Sequence, residues 1–112
     1  MNFEVPKLEV LNLSHTRVDD ELLHVISKSC RGLMQLLVEN CLDVTEKGVK
    51  QVVENCTQLR EINLRYCHQV QSDVHASLIL SWPSLRKIIT PHYDYFSDRE
   101  MELLSRQRCI VC

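Results

Sequence analysis

A spacing of 26 residues governs this sequence. At that offset Cys30 aligns with Cys56, Cys41 with Cys67, and Val44 with Val70. Leu33, Leu59 and Leu85 fall in one column, and Leu36, Ile62 and Ile88 in another. Val38 and Leu64 form a third, which Thr90 continues less perfectly. An earlier copy, one residue shorter, supplies Leu8, Leu11 and Leu13, then Thr16 and Val18 where the others have Cys and Val. The tetrapeptide VENC occurs twice, at 38–41 and 53–56, but the residues following the two copies do not match. Its cysteines therefore hold different positions in one unit, Cys41 after a strand and Cys56 at the close of a helix. A fixed period of this size means small supersecondary units that bury their apolar faces only against their neighbours.

The contents of a unit follow from its hydrophobic spacing. In LMQLLVENC, residues 33–41, Leu36 and Val38 alternate with Gln35, Leu37 and Glu39, the pattern of a strand with one face in the core. In VTEKGVKQVVENC, residues 44–56, Val49, Val52, Val53 and Cys56 recur at helical spacing. Thr45 suits the N-cap, and Glu46 suits the positive end of the helix. The first unit sets Asp19, Asp20 and Glu21 ahead of Leu22, Leu23 and Ile26; the third sets Ser72 and Asp73 ahead of Val74 and Leu78. The expected fold is α/β, with parallel strands near 8–14, 34–39, 60–65 and 86–90 and helices on the outer side. After Pro91 the period stops. SDREMELLSRQR then reads as a helix with Ser97 and Glu100 spaced as a capping box. Tyr93, Tyr95, Phe96, Met101 and Leu104 are expected to form a lid over the end of the core. The 112 residues make one domain: units at about 6–29, 30–55, 56–82 and 83–90, a cap at 91–108 and a tail at 109–112.

CRGLMQLLVENCLDVTEKGV, residues 30–49, closely resembles the cysteine-containing subclass of leucine-rich repeats. CTQLREINLRYCHQVQSDV, residues 56–74, is a second match that lacks the Thr and Gly. The resemblance extends over about residues 6–90. It implies a right-handed solenoid of three to four repeats, parallel strands lining the concave face and helices outside. The subclass is best known from F-box proteins, where it forms the substrate-recognition arm of cullin-based ubiquitin ligases. It also occurs in relatives without an F-box, such as antagonists of mitotic exit. No F-box is visible in the 112 residues. The expectation is either a fragment of a longer horseshoe or a short relative that recognises partners without recruiting a ligase.

Composition removes several other functions. A net charge of −2 supplies no basic surplus for nucleic acid. No run approaches the roughly 18 apolar residues of a membrane span, and MNFEVPKLEV lacks the pattern of a signal peptide. The expected location is cytosolic or nuclear, where the six cysteines act as small reduced hydrophobes. Histidines 15, 24, 68, 75 and 92 are scattered, and Gly32 and Gly48, the only glycines, make no phosphate loop. No enzymatic activity and no cofactor are expected. Cys30, Cys41, Cys56 and Cys67 equal a zinc complement in number, yet the period accounts for their placement and they contain no C-x-x-C pair, so no metal is expected. Cys109-Ile110-Val111-Cys112 lies outside the period and leaves three readings open: an inert tail, a redox or metal pair, or a C-a-a-X box with Cys109 as the prenylated residue. Only the last brings the chain to a membrane, as a lipid-anchored adaptor.

The remaining function is surface. Between the core leucines, three rows face solvent: Val10, Gln35, Glu61 and Lys87; Asn12, Leu37, Asn63 and Ile89; and Ser14, Glu39 and Arg65. Apolar residues among charges make a surface suited to a protein partner. Glu61 with Lys87 and Glu39 with Arg65 are expected to pair across neighbouring strands. The front end has only MNFEVP before the first strand, so self-association through the first repeat is expected, burying Phe3 and Val5.

Overall fold

The computed structural model describes residues 8–71, 82–92 and 94–112. Five strands, β1 Val10–Asn12, β2 Gln35–Leu37, β3 Glu61–Asn63, β4 Lys87–Ile89 and β5 Ile110–Val111, form one parallel sheet in the order of the sequence. Helix α1 spans Asp20–Ser29, α2 Glu46–Asn55 and α3 Asp98–Arg106. The architecture is α/β and compatible with a repeat fold. Register follows the sequence columns: Leu11, Leu36, Ile62, Ile88 and Val111 sit side by side across the sheet.

The strands are three residues long where five to seven were expected, because the chain turns as soon as its core residue is placed. Asn12 Oδ1 accepts from the Ser14 N–H and Asn63 Oδ1 from the Arg65 N–H, both at 3.0 Å, which curls the backbone out of the extended form. His15, Asn40 and Tyr66 then take left-handed φ angles of 63°, 59° and 64°. Laddering nonetheless continues beyond the strands. The N–H groups of Leu13, His15, Val38 and Asn40 reach carbonyls of the next unit at 2.7–3.0 Å. Buried backbone groups at the turns are thereby satisfied.

The helices cover one face of the sheet. Leu23 of α1 and Val49 and Val52 of α2 share a buried cluster with Leu33, Leu36, Leu59, Ile62, Leu64, Leu85 and Ile88. Burying these aliphatic side chains is the main favourable contribution to the fold. Asp19 caps α1, Thr45 caps α2, and the N–H groups of Cys30 and Cys56 close the two helices on Ile26 and Val52 carbonyls. Asp20 ties the units together: its Oδ1 accepts from the Thr45 N–H at 2.8 Å and its Oδ2 from the Thr45 hydroxyl. Gly48, one turn into α2, leaves room for that carboxylate. The thiols of Cys41 and Cys67 point inward and donate to the carbonyls of Leu13 and Val38 at 3.1 and 3.0 Å. In the first unit Thr16 stands at the aligned position, but it is exposed and its hydroxyl donates within its own turn, to Leu13 O at 2.6 Å.

Residues 109–112 are not a frayed tail. Arg108, at φ 61°, reverses the chain after α3. Ile110 N–H then donates to Arg86 O and Cys112 N–H to Ile88 O, at 2.8 and 2.9 Å, while Thr90 N–H donates to Cys112 O at 3.0 Å. The expected cap and tail thus form a further helix and strand that extend the sheet. Of the expected lid, Tyr95, Phe96 and Leu104 are buried, and the Tyr95 and Phe96 rings meet edge to face at 4.9 Å. The capping box at Ser97 and Glu100 is formed. Met101 departs from the expectation: it is 41% exposed. Phe3, Val5, Ser72, Asp73, Val74, His75, Leu78 and Tyr93 lie outside the described residues.

Candidate functional site: the open face of the sheet

The face opposite the helices carries the expected rows. Strand pairing sets Val10, Gln35, Glu61, Lys87 and Ile110 in one line, and Asn12, Leu37, Asn63 and Ile89 in the next. Val10 and Ile110, at the two ends of the first line, are 53% and 62% exposed. Leu37 and Ile89 are partly covered between them. Ser14, Glu39 and Arg65 form the third line along the turns, and the Ser14 hydroxyl accepts from the Glu39 N–H at 3.1 Å.

The charges are arranged differently from the expectation. Glu61 does not pair with Lys87; its Oε2 accepts from Gln35 Nε2 at 2.9 Å. Glu39 does not pair with Arg65; it meets His15 Nε2 at 3.4 Å, while His15 Nδ1 lies 3.3 Å from Asn40 Nδ2. The left-handed backbone at His15 aims the imidazole along the row toward Glu39. Among the described residues, Lys87 and Arg65 are left without a carboxylate within 4.0 Å. The two acids of the face, Glu39 after β2 and Glu61 on β3, are each engaged by a neighbouring side chain, whereas Arg65 and Lys87 are not.

Two features of the site had no sequence signal. Ile110 extends the first row only because β5 forms. The other is a pocket of about 240 Å³ at the C-terminal ends of β3, β4 and β5. Arg65, Thr90, His92, Phe96, Met101, Val111 and Cys112 line it. Thr90 is fixed there, its one hydroxyl proton shared between His92 O at 2.9 Å and Cys112 O at 3.1 Å. Tyr66, 51% exposed, stands next to Arg65 with its ring centroid 6.2 Å from that of His68.

The thiols divide by burial. Burial pushes Cys56 up to about 11, with Cys30 nearby adding to the effect. Burial likewise raises Cys67 to about 11, partly opposed by a backbone hydrogen bond from Cys41. Cys109, 6% exposed, is also raised by burial, with Arg86 opposing. Cys112 alone is exposed. Limited iodoacetamide treatment at mildly alkaline pH is expected to give a single adduct, at Cys112, and peptide mapping checks it. Adducts at Cys41 or Cys67 on the folded protein would contradict the inward thiols. The pH dependence has a definite sign. The unfolded chain releases thiol protons near the ordinary value of 9.0, whereas folded Cys56 and Cys67 hold theirs to about 11. Their contribution to stability is complete below 9.0 and is lost as the pH rises through that window.

Among the described residues, no group of three or more His, Cys, Asp or Glu is placed to hold a metal ion. No helix of the described residues is long and apolar enough to cross a membrane. As placed here, Cys109 is accessible to a modifying enzyme only after β5 detaches from the sheet.

No family model matches the chain. Over 88 residues it is 27% identical to F-box/LRR-repeat protein 4 of Bos taurus, a match covering 77% of this chain and 14% of that protein. Over 67 residues it is 25% identical to F-box protein SKIP1 of Arabidopsis thaliana, covering 60% of this chain and 22% of that one. The likeness is distant, and the chain spans less than a quarter of either relative. It supports a role in protein interaction.

Proposed function

We propose that this chain is a leucine-rich repeat module that binds a protein partner on the open, concave face of its sheet. In this reading it selects substrates in the manner of the repeats of F-box proteins, acts in the cytosol or nucleus, and catalyses nothing itself. The observation that carries it is the register of the open face, which sets Leu37 and Ile89 on either side of Asn63, with Gln35, Glu61, Lys87 and Arg65 around them. Apolar residues set among polar and charged ones suit a recognition surface. The distant F-box likeness supports the same reading.

Affinity purification from a eukaryotic lysate, followed by binding measurements on the recovered protein, tests it. Leu37→Asp and Ile89→Asp, on the open face, are each expected to weaken partner binding by about tenfold or more, as for residues at the centre of an interface. Lys50→Glu, on the exposed side of α2, is expected to leave it unchanged. Equal binding by all three folded variants would overturn the proposal.

A further inference from the structure

The pocket at the C-terminal ends of β3, β4 and β5 has a charge, a shape and a rim that together describe its occupant. Its volume of about 240 Å³ lies below the roughly 300 Å³ at which sites for small organic ligands begin. It suits one or two side chains of a partner instead. The walls are set in advance. Phe96 is buried at the pocket floor against Tyr95, Thr90 is held through its hydroxyl, and Val111 is fixed by β5 pairing. Met101, exposed on α3, supplies an adaptable apolar wall.

Arg65 supplies the fixed positive charge among the side chains of the lining. Its backbone is fixed on both sides, the N–H donating to Asn63 Oδ1 and the carbonyl accepting from Asn40 N–H at 2.7 Å. Its guanidinium has no carboxylate within 4.0 Å among the described residues. Glu39, the acid one row position away, is taken by His15. A guanidinium presents a planar fork that matches a carboxylate through two parallel hydrogen bonds. Next to Arg65 in the chain, exposed Tyr66 has a left-handed backbone, and its N–H donates to Pro91 O at 3.0 Å. Tyr and Arg are the residue types that dominate binding energy at protein interfaces.

We propose that this pocket receives an acidic side chain of a partner protein, the carboxylate on Arg65 and the aliphatic stem between Phe96, Met101 and Val111. The inference rests on the reading of the open face as a protein-binding surface and adds the chemistry of the anchoring residue.

Titrating the isotope-labelled full chain with short capped peptides tests the pocket without knowledge of the partner. The probes are Gly-Leu-Glu-Leu-Gly and the same peptide with Gln in place of Glu. The Glu peptide is expected to give saturable amide shifts at Phe96, Met101 and Val111. The Gln peptide is expected to bind at least about tenfold more weakly, the discrimination of one charge-assisted pair. Arg65→Gln, with an otherwise unchanged spectrum, is expected to abolish the difference, and Lys50→Glu, on the exposed side of α2, to preserve it. Equal affinity for the two peptides, shifts confined to other regions, or no shifts at all would overturn the assignment. Loss of partner binding in Leu37→Asp but not in Arg65→Gln would leave the binding face standing and reject the pocket as its anchor.

Discussion

Replacing Leu36 by alanine is expected to lower the stability of the folded chain by about 2–5 kcal/mol, whereas Leu37→Ala, one residue on, is expected to cost under about 1 kcal/mol. The two side chains are chemically identical and leave the same strand on opposite faces. Leu36 is 0% exposed, centred in β2 with Leu11 and Ile62 beside it and α1 and α2 above. Truncating it removes transfer free energy and leaves a cavity in a packed interior. Leu37 lies on the open face, where solvent or a partner fills the space. For a single domain whose total stability is on the order of 5–15 kcal/mol, the first change consumes a large share. Urea unfolding followed by circular dichroism separates the two. Similar midpoints for both variants would contradict the burial of Leu36 relative to Leu37, and a lower midpoint for Leu37→Ala would mean that the strand faces are assigned the wrong way round.

The second large effect concerns Gly48. A methyl group there would stand inside van der Waals contact with Asp20 Oδ1 and 3.1 Å from Leu23 Cδ1. Gly48→Ala is expected to cost about 1–3 kcal/mol, because the displaced carboxylate abandons the Thr45 N–H and hydroxyl and leaves a helix start unsatisfied. Asp20→Ala alone is expected to cost a similar amount. The informative variant is the double one. With the carboxylate gone, alanine at 48 has only Leu23 to displace, and alanine is the better helix former by about 1 kcal/mol. The cost of Gly48→Ala should therefore fall close to zero in the Asp20→Ala background. Additive costs in the double-mutant cycle would show that the two residues do not communicate.

Much of the fold was legible because the repeat converts position in the sequence into position in the sheet. Once Leu36, Ile62 and Ile88 shared a column, both the register and the buried face followed. The cap at Thr45 and the capping box at Ser97 were legible for a different reason: each is a local bond within one turn of helix. Strand length was less legible, since it depends on Asn12 and Asn63 bending their own backbone, a choice that the alternation of apolar residues does not record. β5 was missed because Ile110 aligns with Lys87 at a different offset, and no leucine column announces it. The ion pairs were misassigned for a physical reason as well. Neighbouring Cα atoms fix which side chains can meet, but the rotamers of Glu39 and Glu61 selected His15 and Gln35. The rows of the site were thus readable in outline, and its pocket, assembled from a turn, a helix and a strand outside the period, was not.

The sheet runs in the order of the chain, so every strand is laid beside the one synthesised just before it. Among the described residues, no strand waits for a distant partner to complete the sheet. The entropy of closing each loop is the modest cost of spanning about one repeat, paid afresh at each step. A topology of this kind suits assembly during translation, each new helix and strand finding a finished surface as it leaves the ribosome. The same geometry limits how far damage spreads. A fault in one unit loosens its two neighbours first, and reaches the remainder only by passing along the row.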